Sequence, residues 1–294
     1  MGRRGKGGDG TVHGIAVVDK DAGWTSHDVV AKARGILGTR KVGHSGTLDP
    51  DATGVLVLGV GRGTKLLRYL QLLPKSYECE IVFGAETTTL DDSGEVTATY
   101  DMRFGPEQAA AAAAELTGDI MQVPPMVSAV KIDGKRLHEL ARQGIEVERP
   151  ARPVTVYRYE VIPTEDPLVY RAAVECSSGT YVRVLAADLG AALGGGAHLR
   201  NLRRTSVGPF TLADSKPLEE VTVLPLTEAV RGFPCVRVDE EVEAAIRVGK
   251  VLEAEALGVA GNGPWPVLSQ AGELLAVYEP FRGSTVKPSV VLVG

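Results

Sequence analysis

Gly43-His44-Ser45-Gly46-Thr47-Leu48-Asp49-Pro50 runs directly into Asp51-Ala52-Thr53-Gly54-Val55-Leu56-Val57-Leu58-Gly59. This stretch sets one carboxylate, Asp49, at the end of a glycine-punctuated loop, and a β-branched, apolar strand follows at about 54–60. Pro50 lacks an N–H and biases Asp49 toward extended backbone. Gly43 and Gly46 permit sharp turns that bring a loop close to a ligand. A carboxylate presented this way can act as a nucleophile or a base. The pattern equally fits a tight turn in which the aspartate bonds its own backbone.

Around this loop the chain alternates short strands and helices irregularly. Gly14 to Val18 reads as a strand, and Trp24-Thr25-Ser26 offers an N-cap for a helix over roughly 27–37. A short helix covers Thr64 to Leu72, and Tyr77 to Phe83 alternates like a strand. Pro106 starts an alanine-rich helix over about 107–116. Residues 119–152 look like an irregular insertion with a short helix near 136–142. Val154 to Val161 and Leu168 to Cys176 form a strand pair, and Thr180, as a cap, opens a helix running to Leu193. Leu202 to Phe210 is β-like, 211–235 reads as a connector, and the Val- and Gly-rich remainder suits a small β module. Several hairpins and no regular βαβ repeat predict an α+β fold with a mixed, largely antiparallel sheet.

The 294 residues carry a net charge of -5, with 44% hydrophobic and 23% charged residues, which suits a globular protein with a substantial core. No apolar run approaches the roughly 20 residues a membrane helix needs. The first ten residues are basic but precede no apolar signal core, and read as a flexible tail. Cys79, Cys176 and Cys235 have no metal or redox spacing, so a reduced, cytoplasmic setting is expected. Residues 214–294 hold 12 acidic and 7 basic residues, which leaves 1–213 neutral. Within that part the basic residues bunch at Lys131, Lys135, Arg136, Arg142, Arg149 and Arg152, and again at His198, Arg200, Arg203 and Arg204. Each cluster fits a solvated surface, and the two together fit a phosphate-tracking one.

Other local signals are weaker. Gly59-Val60-Gly61-Arg62-Gly63-Thr64-Lys65 lacks both the P-loop spacing and the third glycine of a dinucleotide fingerprint, and reads as a glycine-rich turn. No zinc-type spacing is present. His44 is either a structural loop histidine or a hydrogen-bonding group beside the loop. Arg183 falls in the first turn of a helix, where the dipole disfavours a cation. That placement hints at an anionic partner, and an arginine beside a buried carboxylate would keep it ionised. Tyr77 opens a strand and serves either packing or stacking on a nucleobase.

Taken in order, these segments resemble the TruB family of tRNA pseudouridine synthases. The matching pieces are Asp19-Lys20 with Gly23 to Ser26, Gly43 to Thr53, Lys75-Ser76-Tyr77, and Met126 to Lys131 with Gly134-Lys135. Gly144 to Val147, Arg152-Pro153-Val154, Ser178 to Arg183, Asp188-Leu189-Gly190, Gly196 to Leu199 and Leu202-Arg203-Arg204 complete the set, over about residues 13–210. One departure is Asp21, where the family usually has proline after the lysine, which would loosen a turn and shift Lys20.

The resemblance implies a pseudouridine synthase-type sheet with flanking helices over 13–213, the insertion at about 119–152 gripping RNA. A connector over 214–235 and a small PUA-like domain over 236–294 would follow a flexible tail at 1–12. It implies isomerisation of uridine 55 in the TΨC arm of tRNA without cofactor, metal or obligatory protein partner, the base being flipped into a pocket. Asp49 carries over as the catalytic carboxylate. His44 would position the RNA, Tyr77 would stack on the base and assist proton removal from C5, and Tyr181 would line the pocket. Arg183 would pair with Asp49, and Leu202 would touch the base. Lys131, Lys135, Arg136, Arg142, Arg203 and Arg204 would contact the RNA backbone. Rival readings are a guide-RNA-dependent synthase subunit, a catalytically silent RNA-folding protein and a nucleotide-binding enzyme using residues 59–65.

Overall fold

The computed structural model describes residues 12–128, 131–132, 135–136, 145 and 147–293. Residues 1–11 of the expected tail and 137–142 of the expected short helix lie outside them.

The chain begins with strands β1 (Gly14–Lys20), β2 (Val42–His44), β3 (Thr53–Val60) and β4 (Lys75–Phe83); β1 and β3 are apolar runs buried on both faces, and β4 alternates. Strands β5 (Ala85–Thr87) and β6 (Val96–Thr99) form a separate hairpin. They are followed by β7 (Gly118–Gln122), the ribbon β8 (Lys131–Ile132) and β9 (Lys135–Arg136), then β10 (Arg152–Pro163), β11 (Val169–Cys176), β12 (Ala197–Val207) and β13 (Phe210–Thr211). A nine-stranded sheet takes the order β1-β3-β12-β4-β11-β10-β7, with β2 on β3 and β13 on β12. Its pairings are antiparallel except where β12 meets β3 in parallel. The fold is therefore α+β with a mixed, largely antiparallel sheet.

Helix α1 (Ser26–Ile36) is started by a capping box in which Thr25 accepts from the Asp28 N–H. The run 61–66, where a phosphate loop was the rival reading, is a 3-10 turn leading into α2 (Leu67–Leu72). A Cβ at Gly63 would lie 1.8 Å from the Gly14 carbonyl oxygen, so this glycine serves backbone approach. Helices α3 (Pro106–Glu115) and α4 (Val182–Ala192) pack on one face of the sheet. Alanines 109, 112 and 113 of α3 are buried there, which gives the low-complexity run a packing role. Leu185 and Leu189 of α4 are fully buried in the same core, where truncation to alanine typically costs about 2–5 kcal/mol.

A second, five-stranded sheet follows, of β14 (Val236–Arg237), β15 (Leu252–Glu253), β16 (Trp265–Leu268), β17 (Leu274–Pro280) and β18 (Thr285–Val291). It carries α5 (Glu240–Arg247), capped by Asp239. Glu240, Glu241 and Glu243 stand in the first turn of α5, where the helix dipole favours them, so part of the local acidity is a helix start. The two sheets share a core in which Leu274, Val277, Val290 and Leu292 meet Ile15, Val55 and Leu70. Arg62 and Lys65 donate to the carbonyls of Leu292 and Val291, and Arg68 pairs with Glu279. The basic residues of the supposed phosphate loop thus fasten the C-terminal sheet.

Candidate active site

The Asp49 loop is held from three sides before its carboxylate is considered. The buried Ser26 hydroxyl accepts from the Leu48 N–H at 2.8 Å and donates to the Leu48 carbonyl at 3.1 Å. Lys20, also buried, donates to the carbonyls of Pro50 at 2.9 Å, Trp24 at 2.7 Å and Asp21 at 2.8 Å. Lys20 thus ties the turn that carries Asp21 to the Asp49 loop. Burial pushes the Lys20 ammonium down to about 8. The Ala52 N–H closes a turn on the Asp49 carbonyl, so the tight-turn reading holds for the backbone. The side chain does something else.

The Asp49 carboxylate turns to Arg183, with Oδ2 3.1 Å from a guanidinium nitrogen. The other terminal nitrogen of Arg183 lies 3.3 Å from Asp91, and the two nitrogens also donate to the carbonyls of Thr89 and Val127. Two carboxylates therefore share one buried cation, which accounts for an arginine in the first turn of α4. Asp49 itself remains 44% exposed toward a cleft. Burial raises its carboxyl above the ordinary value. Arg183 and Lys20 pull it down, while Asp91 and Asp51 push it further up. Arg183 acts on the carboxylate in the expected direction, favouring its charged form, while it shares its guanidinium with Asp91.

The cleft measures about 360 Å³ and is lined by Asp49, Tyr77, Tyr181, Arg183 and Leu202 together with the 177–180 turn. That volume is within the usual span for small-ligand sites. A neighbouring cleft of about 280 Å³ shares Asp49, Arg183 and Leu202 and adds Asp91. Tyr181, not Thr180, is the cap residue of α4; the Thr180 hydroxyl donates to the Ser177 carbonyl instead. Buried Gln122 brackets the Tyr181 backbone, accepting from its N–H and donating to its carbonyl. Tyr77 faces the cleft from β4, and burial raises its phenol while the charge of the Arg204 guanidinium pulls it down. His44 sits one residue before the lining, edge-on to His27 at 5.3 Å, and its Nδ1 accepts from the Gly46 N–H. Burial, then the charge of His27, holds its imidazole below the usual value.

The basic residues expected on the RNA surface separate. Arg204 is 1% exposed and donates to the carbonyls of Val55, Thr47 and Gly46. It therefore cannot grip a phosphate from the surface. Arg203, on the opposite face of β12, pairs with Asp19 at 2.7 Å and donates to Thr53. Its charge is already engaged. Lys131, Lys135 and Arg136 fall on the two-residue ribbon of β8 and β9. The contacts expected of their side chains, and all of Arg142, lie outside the described residues.

A family model for the N-terminal domain of TruB family pseudouridylate synthases matches residues 34–182. The chain belongs to the TruB family. A model for the tRNA pseudouridylate synthase B C-terminal domain continues over 183–230. Over 289 residues the chain is 49% identical to a tRNA pseudouridine synthase B of Nocardia farcinica, covering 95% of this chain and 93% of that one. A tRNA pseudouridine synthase B of Rhodococcus jostii is 50% identical, covering 90% of each. Among solved structures, a chain from the crystal structure of a Cbf5-Nop10-Gar1 complex superposes with a TM-score of 0.73 at 26% identity, covering 96% of this chain and 84% of that one. This TruB chain is an enzyme that isomerises uridine in tRNA to pseudouridine.

Sequence reasoning missed three contributors to this TruB site. Asp91 lies in Thr87-Thr88-Thr89-Leu90-Asp91-Asp92-Ser93-Gly94, a turn-rich run whose only signal was composition. The preceding Leu90 is held at φ 63°, an uncommon conformation for a bulky residue. Gln122 had no local signal, because its partner is 59 residues away. Ser26 was legible only as part of a helix start, whose cap is Thr25, and the tertiary contact alone shows that it holds Leu48.

Proposed function

We propose that Asp49 is the catalytic carboxylate and that the target is uridine 55 in the TΨC arm, flipped into the cleft beside it. The single observation that carries this is the Asp49–Arg183 pair at 3.1 Å, on a cleft that Tyr77, Tyr181 and Leu202 also line. Catalytic groups must converge on one reacting centre, and here four segments far apart in the chain do so. The isomerisation breaks the N1–C1′ bond and forms C5–C1′, after which the C5 proton must leave and N1 must gain one. Asp49 serves either by attack on the base or by acting at the ribose. Arg183 orients it, and Tyr77 lies on the same cleft to stack on the base and assist at C5. Tyr181 and Leu202 supply the pocket wall. His44 positions the RNA from just outside the cleft, and Lys131, Lys135 and Arg136 are proposed to grip its backbone.

The chain is proposed to act alone on tRNA. Its sequence is nearly twice as similar to relatives called tRNA pseudouridine synthase B as to the Cbf5 chain. The three cysteines are free, in keeping with a reduced, cytoplasmic setting. The test is Asp49→Asn in the purified chain. Pseudouridine at position 55, measured chromatographically in digests of the tRNA, should vanish while tRNA binding persists. Near-normal pseudouridine yield would refute the assignment of Asp49. Turnover of bare tRNA by the unmodified chain checks the stand-alone reading.

A further inference from the structure

We infer that Arg204 is a positioning residue that locks the Asp49 loop to Tyr77 across the sheet. The inference rests on the roles proposed above for Asp49 and Tyr77. Strand β12 lies between β3, which leaves the Asp49 loop, and β4, which begins with Lys75-Ser76-Tyr77. Arg204 stands at the crossing. It pairs with Gly54 on one side and directly with Tyr77 on the other. Its Nε donates to the Val55 carbonyl at 2.7 Å, and its terminal nitrogens donate to Thr47 at 3.3 Å and Gly46 at 3.2 Å. Those carbonyls bracket Asp49 before and after it in the chain. Arg204 and Tyr77 also line the same cleft, where the guanidinium charge acts on the phenol.

The chemistry of the side chain suits this task. A guanidinium is a planar fork with five donors that stays charged, so it can tie several acceptors in one geometry. A lysine has no such fixed plane. Among the described residues no carboxylate lies within ion-pair distance of Arg204, and three backbone carbonyls accept from it instead. A buried cation is costly unless its hydrogen bonds are met, so this site holds the loop and tyrosine to one arrangement. The backbone enforces the same register. Gly54 is at φ +101°, and a Cβ there would lie 2.2 Å from the Arg204 carbonyl oxygen.

The test is Arg204→Lys, first checked for folding by thermal melting. Single-turnover rate at saturating tRNA is expected to fall about 10²-fold, the scale for a misplaced catalytic group, while Kd for tRNA stays unchanged. On a Tyr77→Phe background the additional loss should shrink, because part of the effect acts through the phenol. An unchanged rate overturns the inference. So does a deficit confined to Kd and cured by excess tRNA, or an equal loss on both backgrounds, which is what a merely structural arginine gives. If Arg204→Lys does not fold, NMR of the unmodified chain decides. A clamped guanidinium shows separate, slowly exchanging Nη signals that added tRNA leaves in place, whereas averaged signals overturn the clamp. Retained activity in Asp49→Asn would sink the site reading itself. An inactive Asp49→Asn beside a full-speed Arg204→Lys would sink only this inference.

Discussion

Asp91→Asn removes one of the two carboxylates that share Arg183. Their oxygens lie 3.1 and 3.3 Å from two nitrogens of one guanidinium, so the charges stand roughly 7 Å apart. At an effective dielectric of about 20, such a pair repels by about 2.4 kcal/mol. Asp49 is 44% exposed, and water screening cuts this to about 1 kcal/mol. That corresponds to somewhat under ~1 pKa unit. The freed guanidinium then serves Asp49 alone, which acts in the same direction. Because the folded carboxyl is raised, activity that needs it ionised is lost on acidification earlier than for an ordinary aspartate. In Asp91→Asn the acid limb of the single-turnover pH–rate profile should move down by about one unit. The plateau rate should also fall by about tenfold, since Arg183 loses a tether. Profiles from about pH 4.5 to 8 on saturating tRNA measure both. An acid limb that stays in place or moves up would refute the shared-cation reasoning.

Gly54→Ala should cost several kcal/mol, on the order of 3, because it combines a positive φ with a Cβ placed against the Arg204 backbone; an unchanged melting temperature would contradict this. Lys20 and Lys75 are both buried and pushed down to about 8, below an unfolded value near ~10.4. Between those values the unfolded chain binds more protons, so stability should rise with pH, by up to about 1.4 kcal/mol per unit for each lysine. Urea midpoints at about pH 8 and pH 9.5 test this, and a falling midpoint would refute it. Affinity for tRNA should drop steeply as salt is raised, because phosphate contacts release counterions, and a flat titration would remove the case for a basic RNA surface.

Local signals made much of the fold readable. Continuous apolar runs marked β1 and β3, which are buried on both faces, while β4, β10 and β11 bury roughly every second side chain. Proline at a first turn and an alanine-rich run placed α3. Helix α5 escaped because its short amphipathic stretch sits in a segment whose composition favours strands. In the site, Asp49 and Arg183 were legible, the first from its glycine-flanked loop and the second from a cation placed against a helix dipole. Asp91 was not, since an aspartate in a turn is ordinary until an arginine 92 residues later is seen to reach it.

What the sequence determined alone was the inventory: one exposed-loop aspartate, an aromatic at the start of a strand, an arginine at a helix start, and an α+β pattern. Tertiary structure alone decided which charges face which partners. Arg203 and Arg204 are neighbours in the chain, yet strand alternation sends one to Asp19 and buries the other against the Asp49 loop and Tyr77. A linear reading sees two equal cations, because burial and pairing depend on strands β3 and β4, contributed by residues 53–60 and 75–83.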